Sequence, residues 1–298
     1  VGGAVGRSET MVFYLVGLGL GSETDITVKG LEVVKKCALV LLESYTAILP
    51  SIDAKQLGEF YGREVVVADR EMVEQGADAF LDRAKEEDVA LLVVGDPFGA
   101  TTHTDLFTRC HQKGVPVQTI HNASIMNAAG CCGLQLYNFG RTVSIVFFTE
   151  KWRPTSFYPK IQSNTAAKLH TLLLLDIKVK EQSEENMIRG RMIFEPPRFM
   201  TVNQCVEQLL EVEAKEGGGV CGPEALGVGI SRVGHPDQRV VYGTLEQLRT
   251  VDFGAPLHSL VLVGETDLIE QEMLNLFKVT DTTPRLPAPE AEAGGADE

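Results

Sequence analysis

Short apolar runs alternate along the first half of the chain with stretches whose apolar positions recur every three or four residues. The runs predict buried strands at 13–16, 39–43, 64–67, 89–94 and 116–120. The longer period predicts helices near 27–37, 54–60 and 71–85. Val28, Leu31 and Val34 mark the inner edge of the first, and Met72, Val73, Phe80 and Leu81 that of the third. Thr102 and Asp105 fit a capping box for a further helix to about 112, which Gly114 ends. A βαβα order of this kind predicts a mostly parallel sheet with helices on both faces.

The pattern changes after His121. A small-residue helix is predicted over 125–132, then a strand at 142–148, a helix near 155–169 and a strand at 171–176. Residues 178–200 are polar and include Glu195-Pro196-Pro197-Arg198, which reads as a long functional loop or flap. Thr201 and Gln204 form a capping box for a helix to about 215. Strands at 226–233, 239–243 and 259–263 follow, with helices at 245–251 and 267–277. The short 233–239 connection contains Gly234 and Pro236, predicting a hairpin and hence antiparallel pairing. The expected architecture is α/β, with an N-terminal domain over 11–121 and a C-terminal domain over 122–279. The cleft between them is the default ligand site.

Composition narrows the classes of function. The chain has 298 residues, enough for one large or two medium domains, and 44% of them are hydrophobic. Its net charge is −14 with no basic stripe, which argues against stable nucleic-acid binding. Long-range steering of a basic protein partner stays compatible with that charge. No apolar run approaches the length of a membrane span. Cys37, Cys110, Cys131, Cys132, Cys205 and Cys221 form no C-x-x-C and no zinc spacing, so they read as reduced thiols of a cytoplasmic protein. Residues 1–10 are Gly-rich and precede Met11; they read as the remnant of an added leader. Residues 280–298 carry no large apolar residue beyond Leu286, and disorder is expected there.

Two glycine-marked strand ends carry the candidate chemistry. One is Gly17-Leu18-Gly19-Leu20-Gly21-Ser22; the other is Gly95-Asp96-Pro97-Phe98-Gly99-Ala100-Thr101-Thr102-His103. Such turns let a backbone approach a nucleotide-like ligand. Neither is the dinucleotide fingerprint: Ser22 or Thr24 stands where its third glycine belongs. No phosphate-binding P-loop is present.

These turns, together with His121-Asn122-Ala123-Ser124-Ile125-Met126-Asn127, resemble the tetrapyrrole methylase family. The runs 130–137, 175–178, 195–198 and 256–260 add to the resemblance, within that family, to the diphthine-forming branch of eukaryotic type. The resemblance implies a two-domain fold with the cofactor in the interdomain cleft, and a homodimer. It implies S-adenosyl-L-methionine as cofactor, S-adenosyl-L-homocysteine as product, and no metal. The implied substrate is translation elongation factor 2, on a histidine bearing an aminocarboxypropyl group. The implied reaction methylates the amine three times and the carboxylate once, as a step of diphthamide biosynthesis. By the same resemblance the cofactor positions are Leu20, Asp96, Gly99, Ser124, Ile125, Leu175, Val233 and His258. No residue is singled out as an indispensable acid or base.

Bland readings stand beside these. Asp96 suits a turn cap as well as a cofactor contact, Ser124 suits a helix N-cap, and His258 a satisfied core histidine. Leu20, Ile125, Leu175 and Val233 would otherwise pass as core. Phe98 and Tyr137 could face a trimethylammonium group, with core packing the simpler expectation. The cations of 178–200 could grip the elongation factor or be solvated. Other readings of the whole are a relative acting on a tetrapyrrole or ribosomal RNA, and an inactive cofactor-binding module.

Overall fold

The computed structural model describes residues 11–49 and 53–287. Its strands are β1 (Phe13–Gly17), β2 (Leu39–Glu43), β3 (Val66–Ala68), β4 (Val89–Val93), β5 (Val117–Ile120), β6 (Val143–Ile145), β7 (Thr171–Leu175), β8 (Ile177–Lys178), β9 (Arg198–Phe199), β10 (Leu226–Ser231), β11 (Arg239–Thr244) and β12 (His258–Leu262). The α-helices are α1 (Val28–Lys36), α2 (Ala54–Tyr61), α3 (Ala77–Arg83), α4 (Thr104–Lys113), α5 (Ile125–Ala128), α6 (Tyr158–Ala166), α7 (Glu184–Ile188), α8 (Val202–Glu216), α9 (Leu245–Leu248) and α10 (Leu268–Leu276).

The first five strands form one sheet in the order β3-β2-β4-β1-β5, with every pair parallel. The unbroken apolar runs follow from this placement. Phe13, Leu15, Leu91 and Val93 enter one core with Phe80 and Leu81. Their neighbours Tyr14, Val16, Ala90 and Leu92 enter another with Val34 and Leu57. Both faces are covered, so successive residues are all buried. Five more strands form a mixed sheet, β11-β10-β12-β7-β6, parallel only at β6–β7. The 233–239 hairpin joins β10 to β11 as expected.

Several expectations change at element ends, each for a local reason. The 71–85 helix is split: residues 71–75 wind as a wide π turn, and Gly76 separates them from α3. The capping box at Thr102 does not form. α4 starts after His103, and the Asp105 carboxylate pairs instead with Arg109, 2.7 Å away one turn on. β6 stops at Ile145 because Phe147 and Phe148 give their N–H groups to the side chains of Asp176 and Gln208. α9 stops at Leu248, where the Asn203 amide reaches the carbonyls of Leu248, Arg249 and Val251. The Thr201–Gln204 capping box of α8 is present with both reciprocal bonds.

The 178–200 segment is not a plain loop. It starts and ends in the ribbon β8–β9 and carries α7. The tail expectation is corrected at its start. Asp252 N–H donates to Pro284, Leu286 N–H to Thr250, and Arg285 reaches the Gln247 carbonyl. Backbone pairing holds 280–286 where composition alone offered no core. Residues 1–10 and 288–298 lie outside the described residues.

Candidate functional site

β1 and β4 are sheet neighbours, yet the chain leaves them in opposite directions, β1 toward β2 and β4 toward β5. A crevice opens at such a switch point beyond the carboxyl ends of the strands. Both glycine turns lie there and hydrogen-bond to each other: Gly19 N–H donates to Gly95 O (3.2 Å), and Gly95 N–H to Gly19 O (2.7 Å). Both residues have positive φ, +77° and +80°, the region glycine enters without a Cβ penalty.

A cleft of about 130 Å³, partly open to solvent, lies between these turns and the mixed sheet. Leu20, Gly99, Ser124, Ile125, Leu175 and Val233 all line it. The structure therefore gathers six of the eight expected residues from five separate stretches of chain. Asp96 and His258 are not in the lining, although their neighbours Gly95, Leu257 and Ser259 are. Gly99 has a specific reason to be glycine: an added Cβ would stand 2.5 Å from Ser124 Oγ.

Asp96 organises the turn. Its carboxylate accepts from Phe98 N–H (2.9 Å), Asn122 N–H (3.0 Å) and His121 Nδ1 (2.8 Å). Burial alone would raise its carboxyl pKa; the two backbone N–H groups and the His121 imidazole more than offset that and hold it below the ordinary value. Ser124 caps α5, accepting from Met126 N–H and taking part in a capping box with Asn127. His258 has both ring nitrogens engaged. Nδ1 accepts from Val202 N–H (3.3 Å), and Nε2–H is shared by the carbonyls of Gly254 and Ala255. Burial pushes its pKa below the ordinary value, opposed in part by those two carbonyls. Neutral and doubly occupied, it anchors the strand entry and has no lone pair left to act as a base.

Sequence reasoning missed two contributors. Asn122 ties both halves of the site together: its amide donates to Gly17 O and Asp25 O, each at 3.0 Å. A polar residue just past the carboxyl end of β5 was the available signal. Thr46, Ala47 and Ile48 supply a further wall, and nothing local in their sequence marks them. Neither Phe98 nor Tyr137 lines the cleft, and both are exposed rather than core. In the 178–200 arm, Lys180 pairs with Asp69 (2.5 Å) and Arg198 with Glu181 (2.6 Å). Among the described residues no group of three His, Cys, Asp or Glu side chains is placed to hold a metal, and no helix is long and apolar enough to cross a membrane.

Comparison with known proteins agrees with this architecture. The family model described as Tetrapyrrole (Corrin/Porphyrin) Methylases matches residues 12–249. A diphthine methyl ester synthase of Aspergillus fumigatus is 62% identical over 253 residues, covering 85% of this chain and 88% of its own. One from Dictyostelium discoideum is 55% identical over 270 residues, covering 90% and 99%. A crystal structure from Entamoeba histolytica, ascribed to a diphthine synthase, superposes with a TM-score of 0.80 at 51% identity, covering 91% of this chain and 99% of that one. Parallel sheet, mixed sheet, paired glycine turns and these matches agree, and the chain belongs to the tetrapyrrole methylase family, in its diphthine methyl ester synthase branch.

Proposed function

We propose that this chain is an S-adenosyl-L-methionine-dependent methyltransferase acting on the aminocarboxypropyl-modified histidine of translation elongation factor 2. The product is diphthine methyl ester, with three methyl groups on the amine and one on the carboxylate. One observation carries this reading: six residues expected at the cofactor from the family resemblance converge on one cleft at the switch point. The cleft also fits such a cofactor chemically. Leu20, Ile48, Ile125, Leu175 and Val233 offer apolar wall for a purine and a methionine tail, and the hydroxyl-bearing residues Thr46, Thr101, Ser124 and Ser259 bring polar groups among them. When bound, the cofactor supplies an electrophilic methyl group on a sulfonium.

The work left to the protein is orientation and exclusion of water. The interlocked glycine turns fix the floor of the cleft, Asn122 joins β1 to the segment after β5, and Asp96 holds 96–98 against 121–122. None of these groups needs to exchange a proton. The neutral, doubly bonded His258 is consistent with catalysis by positioning. We take the assembly to be a homodimer and the compartment to be the cytoplasm. The family resemblance supports the first, and six unbridged cysteines agree with the second.

The test is mass spectrometry of elongation factor 2 carrying the unmethylated aminocarboxypropyl histidine, after incubation with the chain and S-adenosylmethionine. Four added methyl groups on that residue are expected. No added mass, with cofactor binding confirmed separately, would overturn the substrate assignment.

A further inference from the structure

Glu43 and His103 form a buried pair that neither the fold nor the cleft lining explains. Each side chain is 1% exposed. Glu43 ends β2, and its carboxylate organises the loop that follows. Oε1 accepts from the N–H groups of Tyr45 (2.6 Å) and Thr46 (2.7 Å), and Oε2 accepts from the Thr46 hydroxyl. Thr46, Ala47 and Ile48 then enter the cleft wall. His103 organises the other segment. Its Nδ1–H donates to Pro97 O (3.1 Å), the same carbonyl that takes the Thr101 hydroxyl. Gly99, Ala100 and Thr101, between these contacts, also line the cleft. The remaining ring nitrogen, His103 Nε2, has no hydrogen-bond partner of its own and sits 3.8 Å from Glu43 Oε2.

We infer that Glu43 and His103 are a positioning pair that locks two segments of the cleft wall, 44–49 and 95–101, into the arrangement the methyl donor requires. This rests on reading the cleft as the cofactor site. A buried carboxylate and imidazole are a costly way to gain stability, since apolar side chains of similar volume generally do as well or better. What a polar pair adds is a defined geometry. Here each partner commands the backbone of a different wall segment, and their mutual contact links the two segments beyond the ends of the paired strands β2 and β4.

The experiment separates the two ends of the imidazole in the full-length protein. His103→Asn keeps a donor for Pro97 but loses Glu43; His103→Gln keeps a donor aimed at Glu43 but loses Pro97. Glu43→Gln probes the other partner. S-adenosylmethionine binding is measured by titration calorimetry, KM and kcat on elongation factor 2 by methyl incorporation, and local opening by hydrogen exchange. For His103→Asn, cofactor affinity should fall about tenfold, KM for the elongation factor should hold, and exchange should quicken in 44–49 and 95–101 together. His103→Gln should recover most of the affinity, and Glu43→Gln should resemble His103→Asn. Wild-type affinity in His103→Asn, equal losses in Asn and Gln, or faster exchange in only one segment would each overturn the pairing. A wild-type chain that binds no S-adenosylmethionine would refute the cofactor reading instead, and the exchange pattern would still decide the pair.

Discussion

Replacing Gly99 by alanine tests the cleft at its tightest backbone contact. The new Cβ would lie 2.5 Å from Ser124 Oγ and 2.6 Å from Ser124 Cβ. Carbon atoms rest about 3.5–4.0 Å apart, so one wall must retreat by roughly 1 Å. The hydroxyl can rotate away, but Ser124 Cβ cannot, because it is fixed to a backbone held by the α5 capping box. The 96–99 turn resists as well, through Gly99 N–H to Asp96 O (3.0 Å) and the three bonds to the Asp96 carboxylate. Overpacking of this kind costs about 1–3 kcal/mol, and loss of the Ser124 cap would add about 1 kcal/mol. Urea unfolding should therefore show a midpoint shift at unchanged slope, and calorimetry a fall in cofactor affinity of about tenfold or more. Ser124→Gly in the same chain removes both atoms of the clash, so the cost of Gly99→Ala should drop by more than half in that background. A Gly99→Ala protein within about 0.5 kcal/mol of wild type, with unchanged cofactor affinity, would refute the close-approach argument.

Asp96→Ala leaves three donors without their acceptor; it should lower stability by about 1–3 kcal/mol and weaken S-adenosylmethionine binding in calorimetry, and wild-type affinity would remove Asp96 from the site. Glu270 gives a pH dependence. Burial would raise its pKa, but the N–H groups of Gln135 and Asp267 and the His170 imidazole outweigh burial and lower it. The unfolded chain then takes up this proton first, so the stabilisation is present above the unfolded value of about 4.3 and is lost as pH falls through the lower folded value. Urea midpoints between pH 7 and pH 3 should fall in that window, and Glu270→Gln should flatten the fall. An equally steep dependence in the variant would assign it to other carboxylates.

The periodicity of apolar positions was enough to place nearly every strand and helix, because each buried face must be written into the residues that form it. Thr201 was legible as a cap, since an N-cap bond closes within three residues; the same pattern at Thr102 misled, because Asp105 is taken by Arg109. Element ends were less legible. β6 and α9 stop where Asp176, Gln208 and Asn203 arrive from distant sequence to take the backbone groups, and no local pattern announces that. The candidate site divides the same way. Its glycine turns could be read directly, and the family resemblance extended them to Leu20, Ser124, Leu175 and Val233. That those residues share one cleft while Asp96 and His258 stand behind its wall was decided by strand order. So were the wall at Thr46–Ile48, the Asn122 tie and the Glu43–His103 pair. Each joins residues from different strand ends, and the distance between strand ends is set by sheet pairing rather than by separation along the chain.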